Sequence, residues 1–232
     1  RGKAGTSQVE VNALGRVIRE LEREEGESGN TVVMTLDLEL QRYANQRLSR
    51  QESASAVVMD IHNGEVLAMA SHPAYDPNAF TTGISHRLWN SLVNNPYSPL
   101  SNKAVNGTYA PGSTFKMCVA LAGLESGIIS ADQRFFCNGH LDLGNARFHC
   151  WKRGGHGWVN MHNSLKHSCD VYYYEISQKI GIDRIAAMAN KLGLGTETGI
   201  DLPNERSGLI PTKDWKEIQL GKRWQGGETL IA

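Results

Sequence analysis

The 232-residue chain balances 24 Lys+Arg against 24 Asp+Glu, a formal net charge of zero. That argues against a nucleic-acid or acidic-membrane binder, because those partners select a basic excess. At 40% hydrophobic and 21% charged residues the composition is that of a folded protein, long enough for one large domain or two small ones. No run reaches the ~18 apolar residues a membrane helix needs. A first residue of Arg1 and an end soon after Gly226-Gly227-Glu228 read as an excised piece of something longer. The lack of a targeting segment therefore says nothing about the parent protein.

Residues 1–34 are polar and charged with Gly-rich edges, like the end of one unit plus a linker-like turn. Thr35 or Asp37 can cap a helix whose Leu40, Ala44 and Leu48 share one face. Residues 56–61 and 65–70 then read as a hairpin through Asn63-Gly64, with a two-residue type I′ turn. Residues 71–112 form a long connection rich in Pro, Asn, Ser and Gly, with one short helix at Ser85–Val93. Pro111-Gly112 leads into a helix over Ser113–Ser126 that is apolar nearly all round, as in a helix buried inside a domain. Further helices are expected over Asn163–Ile180 and Asp183–Leu192, the latter closed by Gly193, and the tail 194–232 reads as turns and short pieces. Hairpin, long connection and central helix together predict an α+β fold.

Ser113 and Lys116 are three apart in Ser113-Thr114-Phe115-Lys116 and share a helical face. Ser113 falls at a helix N-terminus, where unpaired N–H groups and the dipole stabilise a developing anion. Lys116 is the only charge in an apolar surrounding, and burial disfavours the ammonium form. A neutral Lys116 could then take the Ser113 hydroxyl proton and activate the oxygen toward a carbonyl. The bland alternative is a capping serine beside a snorkelling lysine, since a bare S-x-x-K arises by chance about once in a chain of this length.

The longer string Pro99-Leu100-Ser101-Asn102-Lys103-Ala104-Val105-Asn106-Gly107-Thr108-Tyr109-Ala110-Pro111-Gly112-Ser113-Thr114-Phe115-Lys116 closely resembles the active-site segment of class B penicillin-binding proteins. Glu10–Arg16 resembles the end of their N-terminal pedestal domain, and Thr35-Leu36-Asp37 with Leu40-Gln41 the start of their transpeptidase domain. Residues 64–69 and Asp76-Pro77-Asn78 also fit, and the resemblance, strongest to the elongation-specific subgroup, covers essentially the whole chain. It implies a penicillin-binding/serine β-lactamase-like fold, an antiparallel sheet with helices on both sides. It further implies that 1–34 ends the pedestal domain and 35–232 is the front part of a transpeptidase domain, truncated before the C-terminal strands.

This superfamily uses S-x-x-K, then S-x-N, then K-T-G. Ser168-Cys169-Asp170, followed by Val171-Tyr172-Tyr173-Tyr174, resembles the second motif, with Asp170 in place of the commoner Asn, a departure frequent in the elongation-specific subgroup. The resemblance makes Ser168 a proton relay within reach of Lys116, and Asp170 an orienting group. No K-T-G is present, and Arg206-Ser207-Gly208 has the right residue types in the wrong place. The third motif is expected on a strand beyond Ala232, so the fragment alone is expected to be inactive.

Cys137, Cys150, His156 and Cys169 have the spacing C-x12-C-x5-H-x12-C. Three thiolates and an imidazole make a closed tetrahedral set that suits structural zinc. A Cys137–Cys150 disulfide with Cys169 free competes with it in an oxidising compartment, and His140 and His149 are substitute ligands. Some relatives in the resembling subgroup carry zinc in this stretch, with carboxylates where Cys137 and Cys150 stand. Because Cys169 lies inside the second motif, a metal there would hold that loop against the nucleophile. Cys118, inside the apolar helix, reads as an inert core thiol.

The resemblance implies a peptidoglycan D,D-transpeptidase working on the stem peptides of lipid II-derived glycan strands through a Ser113 acyl-enzyme, with β-lactams as substrate mimics. It implies no organic cofactor and no nucleic acid. It places the parent on the periplasmic face of the inner membrane, held by an N-terminal helix absent here, beside a RodA-type glycosyltransferase and MreC. The rivals are a β-lactamase-type serine hydrolase or sensor, and a zinc-stabilised interaction module without catalysis.

Overall fold

A computed structural model describes residues 2–81 and 83–221. Contacts divide the chain into two compact units, Arg1–Pro73 and Ala74–Ala232. That cut is later than the 34/35 boundary suggested by family resemblance, because Thr35–Gln41 are tied to the hairpin that follows them. Expectations for positions beyond Gly221 lie outside the described residues.

In the first unit, β1 (Thr6–Val11) and β2 (Val17–Glu24) pair antiparallel, with irregular register at Gln8/Val9 and Glu10/Val11. Neither strand is expected from the sequence of this stretch. Their charge-rich composition hides the strand signal, while Asn12 and Gly15 (φ 76°) make the turn. Helix α1 (Leu38–Leu48) starts at Asp37, whose side chain accepts from Leu40 N, so Asp37 rather than Thr35 is the cap. Thr35 instead donates its hydroxyl to Val66 O.

The predicted hairpin is β3 (Ala54–Met59) and β4 (Val66–His72). The Gln41 amide of α1 both donates to Met69 O and accepts from Met69 N, each at 2.8 Å, seating the helix on this ribbon. The turn is not the two-residue type expected. Asp60 N donates to Glu65 O, Gly64 N to Asp60 O, and the Asp60 carboxylate accepts from His62 N. Only Gly64 needs a positive φ, and the register breaks between Val58 and Met59. Local Asp and Asn side-chain bonds thus outcompete the shorter turn.

The second unit starts with a short 3₁₀ turn at Pro77–Phe80, then α2 (His86–Val93), the short helix expected over Ser85–Val93 with Ser85 as its cap, and α3 (Lys103–Asn106). A 3₁₀ turn over Gly112–Thr114 leads into α4 (Phe115–Glu125). Two ribbons follow. β5 (Phe135–Cys137) pairs with β8 (Gly157–Val159), and between them β6 (His140–Leu143) pairs with β7 (Ala146–His149). Strands of three or four residues are too short to show a period of two in the sequence.

The single helix expected over Asn163–Ile180 is two. α5 (Met161–Lys166) and α6 (Asp170–Ile180) are separated by a turn in which Ser168 has φ 50°. α7 (Ile182–Lys191) agrees with the expectation and stops before Gly193 (φ 84°). α8 (Lys213–Leu220), capped by Thr212, lies in the tail predicted to be turns.

The core of this unit joins α4, α6 and α7 to the ribbons. Tyr172, Ile176 and Ile180 on α6 are fully buried, and Tyr172 meets Phe135 of β5 edge-on at 5.3 Å. Gly123 of α4 faces Ile180, and a Cβ built there would be 3.0 Å from the Ile180 side chain. The missing side chain thus lets the two helices approach. α4 is not buried all round: Cys118, Val119 and Ala122 are covered, whereas Met117, Leu121 and Leu124 are exposed. Among the described residues all strands form two-stranded antiparallel ribbons, beside eight α-helices.

Candidate active site

Gly112, with φ 54°, makes the tight entry that sets Ser113 on the first turn before α4, and Thr114 closes this turn by donating to Pro111 O. Ser113 is exposed and Lys116 partly buried. One helical turn puts Lys116 Nζ 3.2 Å from Ser113 Oγ, as the spacing predicted.

The break between α5 and α6 supplies the rest. Ser168 N donates to Leu165 O, and Cys169 N to Ser164 O, folding the chain back over the end of α5. In this turn Ser168 is left-handed, a conformation that an L residue keeps only when its surroundings hold it. The result is that Ser168 Oγ is 2.9 Å from Ser113 Oγ and 2.9 Å from Lys116 Nζ. Lys116 Nζ also donates to Ser168 O at 2.9 Å and to Asp170 Oδ1 at 2.6 Å. Four oxygens thus stand within hydrogen-bond reach of Lys116 Nζ, which also lies 5.8 Å from the Tyr173 ring centroid.

Ser113, Lys116, Ser168 and Asp170, all expected from sequence, are thus in one hydrogen-bonded group. From sequence, burial is what disfavours the Lys116 ammonium; the structure sets the Asp170 carboxylate against it as an ion-pair partner. Asp170 accepts with both oxygens, the second from Trp151 N at 2.9 Å. Burial pushes its carboxyl up, but hydrogen bonds from Lys116 and Trp151, with the lysine charge, outweigh this and hold it below the usual carboxylate range. A cavity of about 490 Å³ opens beside Ser113, lined among others by Lys116, Tyr173, Tyr174 and Leu209-Ile210-Pro211.

Cys137, Cys150, His156 and Cys169 also come together, their donor atoms all within 4.8 Å of one another. Cys137 ends β5, and His156 stands just before β8, its N–H donating to Cys137 O. Cys150 follows β7 and Cys169 caps α6. All four cysteines of the chain are free and buried, so no Cys137–Cys150 disulfide is formed. His140 and His149 are not part of the set; they face each other across the β6–β7 ribbon at 6.3 Å.

His156 Nδ1 is 3.6 Å from Cys137 Sγ and 3.5 Å from Cys150 Sγ. The edge of a tetrahedron with zinc-like bond lengths is about 3.6 Å between sulfur and nitrogen. The donor set therefore fits a tetrahedral divalent ion. Burial pushes the Cys169 thiol up to about 12, with Cys137 and Cys150 adding to the effect. Such a shift favours the protonated Cys169 thiol, and a bound cation is what would reverse it. Burial, followed by Lys152 and His167, lowers the His156 pKa, keeping it in the neutral form that ligates. Cys118 stays apart, buried beside Ile185 O at 3.9 Å, its thiol pushed up by burial.

Sequence reasoning missed Trp151. Its backbone reaches Asp170, and its indole Nε1 donates to His167 O at 3.0 Å. No spacing signal links a residue to partners on another element, so only the fold reveals it.

The model of the penicillin-binding protein transpeptidase domain matches residues 54–229. The peptidoglycan D,D-transpeptidase MrdA of Escherichia coli (strain K12) is 42% identical over 231 residues, covering 99% of this chain and 36% of the relative. The Helicobacter pylori penicillin-binding protein PBP2, solved in complex with MreC, superposes with a TM-score of 0.83 at 35% identity, over 99% of this chain and 43% of that one. Pseudomonas aeruginosa PBP2, solved in complex with WCK 5153, gives 0.81 at 38% identity, over 89% of this chain and 47% of that one. These likenesses bear out the α+β transpeptidase fold, and the chain spans less than half the length of each protein it matches. By the match over residues 54–229, the chain belongs to the penicillin-binding protein transpeptidase family.

Proposed function

We propose that the protein containing this chain is a peptidoglycan D,D-transpeptidase of cell-wall elongation, with Ser113 as its nucleophile. The observation that carries this is Ser168 Oγ, 2.9 Å from both Ser113 Oγ and Lys116 Nζ. Ser113 Oγ attacks the carbonyl between the two terminal D-alanines of a stem peptide. Its proton passes to Lys116, directly over 3.2 Å or through the Ser168 hydroxyl. Return of that proton to the leaving nitrogen releases D-alanine and leaves an acyl-enzyme. An amine of a neighbouring stem peptide then takes the acyl group, giving the cross-link. The Ser113 N–H, at the start of the 3₁₀ turn, is one oxyanion donor. The K-T-G strand belongs to the remainder of the protein, as do the later strands of the sheet. The hairpin of residues 6–24 closes the pedestal domain.

For the cysteine–histidine set we propose zinc, held by Cys137, Cys150, His156 and Cys169. Its chemistry would be structural: it would fix at one point four side chains that stand at the ends of β5, β7, β8 and α6. Cys169 then holds Ser168 and Asp170 where Lys116 can reach them. The match is to the transpeptidase domain, which favours this reading over a β-lactamase-type sensor. Partnership with MreC, as in the Helicobacter relative, and with a RodA-type glycosyltransferase on the periplasmic face follows from the same reading. Among the described residues no helix is long and apolar enough to cross a membrane.

The test is labelling of the complete protein by a fluorescent penicillin. Label at Ser113, lost in Ser113→Ala, is the expected result, and a protein that does not label contradicts the reading. Metal analysis before and after chelation tests the zinc. An acylation rate unchanged in metal-free protein would separate the metal from activity.

A further inference from the structure

We propose that Trp151 is a positioning residue for acyl transfer, clasping the second-motif turn on both sides of Ser168. The inference rests on the reading of Ser113 as the acylated serine. The indole Nε1–H donates to His167 O at 3.0 Å, and the backbone N–H of the same residue donates to Asp170 Oδ2 at 2.9 Å. The two bonds land on the residue before Ser168 and on the second residue after it. Between them stands Ser168 with φ 50°, a left-handed serine that relaxes unless its neighbours are fixed. His167 closes α5, and helix ends leave carbonyls without helical partners, so the indole fills a vacancy that the break itself creates.

Trp151 is 65% exposed, so packing accounts for little of its role. Its contact with His156 is edge-on at 5.4 Å, and His156 stacks on His167 at 6.0 Å. Trp151 also follows Cys150 directly, so the segment carrying one proposed ligand grips the loop carrying another. Asp170 is consequently held by a donor on each oxygen, Lys116 on one and Trp151 N on the other. Loosening the indole bond lets the His167–Asp170 turn drift, and the distances that drift first are those of Ser168 Oγ to Ser113 and Lys116.

The experiment uses the complete protein with two replacements, Trp151→Phe and the isosteric benzothienylalanine at 151, which keeps the ring shape and removes only the N–H. Reaction with a fluorescent penicillin is resolved into the constant for initial binding and the rate constant for acylation of Ser113. In both variants acylation should slow about five- to tenfold, the effect of losing one ordinary hydrogen bond that acts in the transition state. Initial binding, metal content and melting temperature should stay at the unsubstituted values. Acylation at the unsubstituted rate in both variants overturns the proposal. So does a loss confined to initial binding, which would make Trp151 a ligand platform. A loss matched by falling metal content and melting temperature also overturns it, as a purely structural role. If the unsubstituted protein fails to label, the reading of Ser113 falls, and this inference with it.

Discussion

Replacing Gly155 by alanine should destabilise the second unit strongly, whereas the same change at Gly154 should not. Gly155 has φ 76°, and a Cβ built on it would lie 2.1 Å from Cys137 O and 2.8 Å from two backbone atoms of Asn138. The left-handed backbone costs an ordinary residue about 1–2 kcal/mol. Relieving the clash requires moving one backbone segment by more than an ångström, since neither obstacle is the end of a flexible side chain, and overpacking of this kind adds about 1–3 kcal/mol. The expected total is about 3 kcal/mol, or a fall in melting temperature of about 6–12 °C for a unit of this size. The displaced segments carry Cys137 and His156, so metal retention should fall with stability. At Gly154 a Cβ meets nothing within 4 Å and no positive φ is required. Gly154→Ala should therefore melt within about 2 °C of the unsubstituted protein. Thermal melting and metal analysis of the two variants make the test, and equal behaviour would refute the account of how these loops are closed around the cluster.

Asp170→Ala should lower both stability and the acylation rate, because it leaves a lysine without its carboxylate and the Trp151 N–H without an acceptor; about 2 kcal/mol is expected for this half-buried pair. Asp170→Asn keeps an acceptor oxygen and should acylate within about tenfold of the unsubstituted rate, whereas acylation at the unsubstituted rate in both variants would show the carboxylate to be idle. Cys169→Ser should release bound metal while Cys118→Ala retains it, measured as metal per protein; the reverse pattern would place the metal elsewhere. Glu205 accepts from Thr198 N, Thr198 Oγ1 and Gly199 N, and these bonds, the Thr198 hydroxyl's first, hold its carboxyl below the usual range. Its contribution is present above its unfolded-state titration and is lost as pH falls through the lowered value. Amide exchange at Thr198 and Gly199, corrected for intrinsic rates, should rise there, as it should in Glu205→Gln at neutral pH; protection unchanged in both cases would argue against this anchor.

The chemistry was more legible in the sequence than the scaffold that aims it. Ser113 and Lys116 are one helical turn apart, so their spacing alone predicts their meeting. The cluster residues declare themselves by type, because thiols and imidazole crowded into one stretch have few structural alternatives. The turn at 167–169 was illegible, since no glycine or proline marks it and the left-handed serine is held by the local bonds of Ser168 N and Cys169 N together with tertiary bonds from Lys116 and Trp151. The β1–β2 hairpin was hidden by its charges, and β5 to β8 by their length. The turn at 60–65 shows Asn-Gly overruled by a neighbouring aspartate that satisfies the backbone sooner.

The carboxylate beside the lysine bears on the direction of proton transfer. Before attack, the lysine must be able to accept a proton; after attack, it carries a charge. Asp170 Oδ1, 2.6 Å from Nζ, stands where it stabilises the second state. In the mechanism proposed above, this arrangement is complementary to Lys116 after it has taken the Ser113 proton, and so to the developing charge of acylation rather than to the resting pair. On that proposal Asp170 stands toward Lys116 as the buried carboxylate of a serine–histidine–aspartate triad stands toward its imidazole, orienting the base and stabilising the cation it becomes. Both Asp170 oxygens are engaged, so this stabilisation is preorganised and needs no reorientation during the reaction. The segments that fix Asp170 are those that bear Cys150 and Cys169. An enzyme whose base depends on this carboxylate therefore depends, one step removed, on whatever holds those two sulfurs.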